Sequence, residues 1–362
     1  MSHSEPGIKL TTYFEERDRV GDRFLADALF DVYERHAMRT SVLLRGTAGF
    51  GKHQHVHSDR LLTLSENLPA LSIAIDTRAR IEEALPDVQE VAISGLVTVE
   101  TVELASTGVE HLEVAGPPDR AVKLTVYGGR AVRTGGEAGY VAAVEALREA
   151  GVSGASVVLA VDGTLHGQRR RARFFARNAG VPLMLTAVGA AGAIQSALPA
   201  VARLLDEPVA TLERVRICKS DGAHLSEPHP APETDRAGPP VHHKIMVHVE
   251  EQAHWNGRPL HAELVRRLHV NRAAGVTVLR GVRGYYGDRE TIADRVLRVR
   301  RNVPVHAVIV DTPEKIRRLW PMIDSLTYQH GMVTSELVHA SRALGGGEPD
   351  GALTLELPVD AA

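Results

Sequence analysis

Two stretches hold residues whose types and spacing could bind an anion. Leu44-Arg45-Gly46, followed by Gly49 and Gly51, closes one apolar run. Leu279-Arg280-Gly281, followed by Gly284 and Gly287, closes another. Glycines placed directly after a strand can take φ > 0 and turn successive backbone N–H groups toward one anion. Arg45 and Arg280 add a planar fork suited to phosphate. The alternative is a loop of tight turns with its arginine in a framework salt bridge. Farther along lie Arg60, Arg173 and Arg295, and then Thr98 with Glu100, Thr211 with Glu213, and Thr334 with Glu336. One reading pairs each arginine with a glutamate to stitch neighbouring units, an arrangement costly to break from one side when buried. The other turns the arginine to a phosphate and the glutamate to a ribose or base.

Other chemistry is less well supplied. Gly46 to His53 fits GxxxxGK but lacks the hydroxyl that holds Mg²⁺ in a phosphate loop. His53, His55 and His57 alternate, so on an extended strand all three point one way and could hold Zn²⁺, Cu²⁺ or Ni²⁺. They equally suit a solvated loop, and no other part of the chain repeats them. No GxSxG or HExxH occurs, and the lone Cys218 has no patterned base nearby, so no catalytic residue is assigned and no enzyme is expected.

The elements that must position these residues recur three times. Leu44 to Arg60 and Leu279 to Arg295 have the same length, as do Arg60 to Pro69 and Arg295 to Pro304. Asp76-Thr77 and Asp311-Thr312 close both copies. A worn middle copy runs from Ser156 to Gly189, with Ala160 and Val161 read in place of Arg-Gly. At least one of three anion sites is then impaired, and fewer than three equivalents of ligand bind. Each copy opens on an alternating strand, in residues 8–14, 122–127 and 245–249. Helix-spaced apolar residues follow Gly21, Gly136 and Gly257, and a second helical pattern precedes each Thr-x-Glu strand. The order is βαββαβ, giving an α+β fold of split-βαβ, ferredoxin-like units. Apolar residues on both faces of the strand at 70–75 predict that the sheet face without helices is covered too, by three units packing as a pseudo-trimer within one chain.

The boundaries read as repeat 1 at 7–104, a link at 105–120, repeat 2 at 121–218, a Pro-rich flexible link at 219–242, repeat 3 at 243–339 and a tail at 340–362. A formal charge of −3 gives no global attraction to nucleic acid, and 4% aromatic residues leave no stacking platform for single strands. The basic runs at 168–171 and 298–301 read as solvated faces of loop arms. No apolar run reaches a membrane span of roughly 18 residues. One cysteine and no leader pattern suit a cytoplasmic protein.

The KLTVY-like strand, the LRGxxGxG loop, the RLLTLSENLP approach and the GLVTVExV ending resemble an uncharacterised bacterial family of PII-like fold, domain of unknown function number 190. The resemblance implies a trimeric barrel of sheets with helices outside and small ligands, adenine nucleotides among them, between units. It implies partner contact through the long loop, with a membrane transporter or channel as that partner. The expected function is therefore PII-like signalling or regulation through a small anionic ligand. The alternatives are a ligand-free interaction or assembly protein and a metal-handling protein using His53, His55 and His57.

Overall fold

The computed structural model describes residues 4–51, 54–58, 67–92, 95–105, 108–130, 133–134, 136–172, 180–230, 241–287, 292–293 and 303–343. Among these it holds six helices and a mostly antiparallel sheet system. The first repeat comprises β1 (Ser4–Glu15), α1 (Leu25–Arg35), β2 (Thr40–Arg45), β3 (Ala48–Phe50), β4 (Pro69–Thr77), α2 (Arg78–Val91) and β5 (Gly95–Ala105). The second comprises β6 (Ala121–Gly129), α3 (Gly139–Glu149), β7 (Gly154–Leu159), β8 (Asp162–Leu165), β9 (Pro182–Ala190), α4 (Ala191–Leu204), β10 (Val209–Arg214) and β11 (Arg216–Ser220). The third comprises β12 (Val241–Glu250), α5 (Leu260–Val270), β13 (Val276–Arg280), β14 (Arg283–Tyr286), β15 (Pro304–Asp311), α6 (Pro313–Leu326) and β16 (Met332–Ala343).

Strand pairing is the same in each repeat. The hydrogen-bonded orders are β2-β4-β1-β5, β7-β9-β6-β10 and β13-β15-β12-β16. Period-two alternation sorts the side chains. On β1, Ile8 and Leu10 face the helices with Leu29, Tyr33, Ile81 and Val88. The opposite face carries Lys9, Thr11 and Tyr13. Cores of the same kind lie under α3 and α4 and under α5 and α6. A fourth cluster draws on all three repeats, including Leu44, Ile73, Tyr127, Met184, Val209 and Leu279. The sheet faces without helices therefore cover one another.

Both edges of each sheet are also paired, and unpaired edges are what an antiparallel sheet must avoid. At the β5 side, β5 meets β10, β11 meets β16 and β16 meets β5. At the β2 side, the short strand after each second strand crosses to a neighbour: β3 to β13, β8 to β2 and β14 to β7. Those crossings explain the glycines. A Cβ on Gly49 would lie 2.1 Å from the Val276 carbonyl oxygen, on Gly163 2.4 Å from that of Ser41, and on Gly284 2.5 Å from that of Ala155. Gly49 also sits at φ 147, where other residues are strained.

The crossings correct the register read for the middle copy. Gly46 N donates to Pro69 O at 2.7 Å and Gly281 N to Pro304 O at 2.8 Å; Ala160 N donates to Pro182 O at 3.2 Å. Ala160 is thus the counterpart of Gly46 and Gly281, and Leu159 stands where Arg45 and Arg280 stand. The basic run at 168–171 is also not simply solvated. Arg169, 16% exposed, reaches from the second repeat to Asp31 on α1 at 2.7 Å and holds its own Asp162 at 2.8 Å.

The first link packs as well: Val109 and Leu112 are buried in the core of the second repeat. The start of the second link, Lys219 and Ser220, belongs to β11. Residues 231–240 and the tail from 344 lie outside the described residues.

Gly49→Ala places a methyl group against a backbone oxygen at strained φ, and we expect it to destabilise the protein by about 2 kcal/mol or more. A Cβ on Gly51 meets nothing closer than 3.9 Å, so Gly51→Ala leaves stability within about 0.5 kcal/mol. Urea unfolding of the two variants checks the contrast.

Candidate functional site

Where the three sheets meet, register places a lysine beside a glutamate in every repeat: Lys9 opposite Glu100, Lys123 opposite Glu213 and Lys244 opposite Glu336. All six are at most 7% exposed. Each lysine also reaches the glutamate of one neighbour. Lys9 bridges Glu100 at 2.8 Å and Glu213; Lys123 bridges Glu213 at 2.6 Å and Glu336; Lys244 bridges Glu336 and Glu100. The result is a closed ring of alternating charge with no net charge.

Burial raises the Glu100 and Glu336 carboxyls, but the lysines beside them outweigh it and hold both at about 2. Glu213 is lowered by the same balance. Lys244 shows the converse: burial pulls it down, while Glu100 and Glu336 together hold it well above its ordinary value. A lone buried charge would be neutralised instead.

The sequence offered arginines as the partners of these glutamates, and the ring supplies lysines. Among the described residues the partners of Glu100, Glu213 and Glu336 are lysines of each repeat's first strand. Arg60, Arg173 and Arg295 lie outside the described residues. The lysines open the KLTTYF, KLTVY and KIMVHV strands, so the same offset in three copies was the signal that could have found them. Thr98, Thr211 and Thr334 are buried two residues before the glutamates, and Thr211 Oγ1 donates to Glu213 Oε1 at 3.5 Å.

The other expected residues lie apart from the ring. Arg45 reaches Glu16 at 2.9 Å and Arg280 reaches Glu251 at 2.9 Å. The N–H groups of Gly46 and Gly281, and of Thr47 and Val282 beside them, donate to backbone carbonyls within 2.8 Å, which turns them from any anion. Gly287 makes a positive-φ turn at 65. His53 is outside the described residues; His55 is exposed, and His57 pairs with Gly49 in a short strand. Among the described residues the metal-ligand grouping that forms is Glu100, Glu213 and Glu336. Their carboxylates are engaged by three ammonium groups, so a cation would have to displace lysine.

Two spaces adjoin the axis. The first is a cleft of about 690 Å³, counting its open mouth, between the first and third repeats. Tyr13, Phe14, Phe50, Leu96, Val276 and Val308 give it apolar walls, and Glu15 and Asp18 stand at one side. Gly51 keeps it open. The counterparts of Gly51 are Leu165 and Tyr286. Leu165 packs on the shared axial core. Tyr286 lies with Met332 against Gly154, where a Cβ would be 3.0 Å from the Tyr286 ring. The second space lies on the axis beside the charge ring.

The third repeat differs once more. His248 and His306, cross-strand neighbours, share a 2.8 Å Nδ1–Nδ1 contact, and the Tyr286 hydroxyl is 3.3 Å from His306. Burial lowers His306 to about 4; burial, with His306 beside it, also lowers His248 well below its ordinary value. The first repeat has Tyr13 and Leu71 at the same places.

A family model described as DUF190, Uncharacterized ACR, COG1993, matches residues 7–104, 121–217 and 242–340. The UPF0166 protein of Aquifex aeolicus (strain VF5) is 27% identical over 93 residues, which are 25% of this chain and 86% of that protein. Aspartate kinase from Synechocystis aligns at 11% identity and a TM-score of 0.26, over 94% of this chain and 45% of that one. An anthrone oxidase-like protein aligns at 15% identity and a TM-score of 0.17, over 59% of this chain and 93% of that one. Structural scores this low carry no argument.

Lys123→Met leaves Glu213 and Glu336 with one lysine each and should cost about 3–5 kcal/mol. Adding Glu213→Gln restores neutrality, so the double variant loses less than the sum of the singles in urea unfolding. The lowered groups also set the acid limit. The histidines are lowered from 6.5, so their contribution is whole above that pH and fades as pH falls toward 4. The carboxyls are lowered from 4.5, so theirs is lost between 4.5 and 2. Melting temperature should therefore fall in two stages. His248→Tyr with His306→Leu, which copies the first repeat, should shrink the upper one and leave the share of His243, which burial lowers to about 4, and of His229.

Proposed function

The chain belongs to the uncharacterised DUF190 family, and on that premise we propose that it is a PII-like regulatory protein built as a pseudo-trimer of ferredoxin-like repeats. A small ligand binds in the cleft between repeats, and its presence is passed to a partner through the loop arms. The repeated strand order and the pairing of both sheet edges support the architecture. The observation that carries the function is the open cleft beside Gly51.

The ligand we propose is small and anionic, with an adenine nucleotide the first to try. Its flat base would lie against Phe14, Phe50 and Leu96. Its phosphates would point outward, because Glu15 and Asp18 repel anions inside. Binding without catalysis is the proposed role, in the cytoplasm, with a membrane transporter or channel as partner. No helix among the described residues is long and apolar enough to cross a membrane. A second reading, an assembly protein without ligand, is favoured by the glycine-loop N–H groups, which are already bonded within the fold.

Thermal melting of the full chain against AMP, ADP, ATP and cyclic AMP tests the two. We expect a shift of a few degrees at saturation with at least one, one equivalent by calorimetry, and unaltered nucleotide on product analysis. Gly51→Tyr, which copies Tyr286, should abolish the shift and keep the melting temperature of the free protein. A flat response to every nucleotide supports the assembly reading.

A further inference from the structure

The axial space beside the charge ring is unlike the cleft. Its lining includes all three lysines but, of the three glutamates, Glu100 alone. The ring is neutral overall, and the part of it that lines the cavity carries three ammonium groups and one carboxylate. An ammonium group has three N–H donors, and each lysine directs two at carboxylates. One N–H per lysine is left for a further acceptor.

The remaining wall adds donors. Thr11, Thr125 and Thr186 line the space, and so does Tyr127. Tyr127 is 1% exposed, and its hydroxyl has no hydrogen-bond partner among the described residues. A buried hydroxyl facing a cavity without an acceptor is costly. Leu71, Ile73, Met184, Met246 and Leu279 close the rest with apolar surface. The space is therefore bordered by several hydrogen-bond donors in a low-dielectric setting. Lys9 and Lys244 already hold Glu100, the one glutamate of the ring in the lining, through its Oε2, and its Oε1 has no hydrogen-bond partner among the described residues.

We propose that this cavity binds one small monovalent anion, held by Lys9, Lys123 and Lys244 and by the Tyr127 hydroxyl. Tyr13 and Val308 line both this cavity and the cleft between the first and third repeats. They form the partition through which an ion reaches the axis. The site is independent of the cleft's ligand and stands or falls separately from it.

Bromide is a suitable probe. Crystals of the full chain grown in sodium bromide, with data collected at the bromine edge, should show one anomalous peak on the axis beside the three lysine ammonium groups. In solution, melting temperature should rise with bromide at constant ionic strength, the balance made up with gluconate, which is too large for the cavity. Tyr127→Phe keeps the shape and removes one donor, so it should weaken the apparent bromide affinity about tenfold. Thr125→Val is a second variant should the first fold poorly, with the same direction expected. An axis without an anomalous peak, peaks on surface residues only, or an unchanged bromide dependence in a folded variant would overturn the proposal.

Discussion

Six charges buried at one point are tolerable only if each has opposite charges on both sides. That condition organises the molecule. A lysine with one glutamate from its own sheet would leave a buried pair whose desolvation is barely recovered. A second glutamate can come only from another repeat, held at the same depth and angle. Three copies satisfy the requirement in a closed cycle, Lys9 to Glu213, Lys123 to Glu336 and Lys244 to Glu100. The ring is thus a geometric gauge: it forms when the three sheets share one axis. Apolar residues around it would hold the sheets together, but they would tolerate sliding that charges do not.

The edge pairings apply the same constraint at the rim. β16 joins β5, β5 joins β10 and β11 joins β16, while the short crossing strands tie the other edges. Backbone hydrogen bonds are satisfied between repeats as they are within them. Gly49, Gly163 and Gly284 are small because another strand's carbonyl occupies the place a side chain would take. Gly51 is different: nothing crowds it, and its lack of a side chain leaves a cleft that Tyr286 fills elsewhere.

A single chain also frees the copies from identity. The third repeat replaced Tyr13 and Leu71 with His248 and His306, and Thr11 with Met246. The second replaced the arginine at the Arg45 position with Leu159. One cleft and one face of the axial cavity can therefore be specialised while the ring and the edges are kept. A trimer of identical subunits would have to change all three places together.

Much of the fold was legible in the residues. The triple βαββαβ order followed from equal spacings and from alternation between periods of two and 3.6. Apolar residues on both faces of β4 announced that the second sheet face is covered. The glutamates at 100, 213 and 336 stood out as a repeated acid, but the lysines that meet them did not, because a repeated charge does not say which opposite charge will meet it. Arginines at constant offset looked as suitable as lysines on the first strand. The choice depends on register and on which face each strand turns inward, and both are settled by pairing between strands distant in the chain, Lys9 with Glu100, Lys123 with Glu213 and Lys244 with Glu336. Sequence by itself determined the elements, their order and their repetition, because these arise from local periodicity and turn chemistry. The tertiary structure alone decided that the charges close into a ring, that the loop glycines yield to crossing strands and that one cleft stays open. Those outcomes arise where segments distant in the chain meet, and no local pattern encodes the meeting.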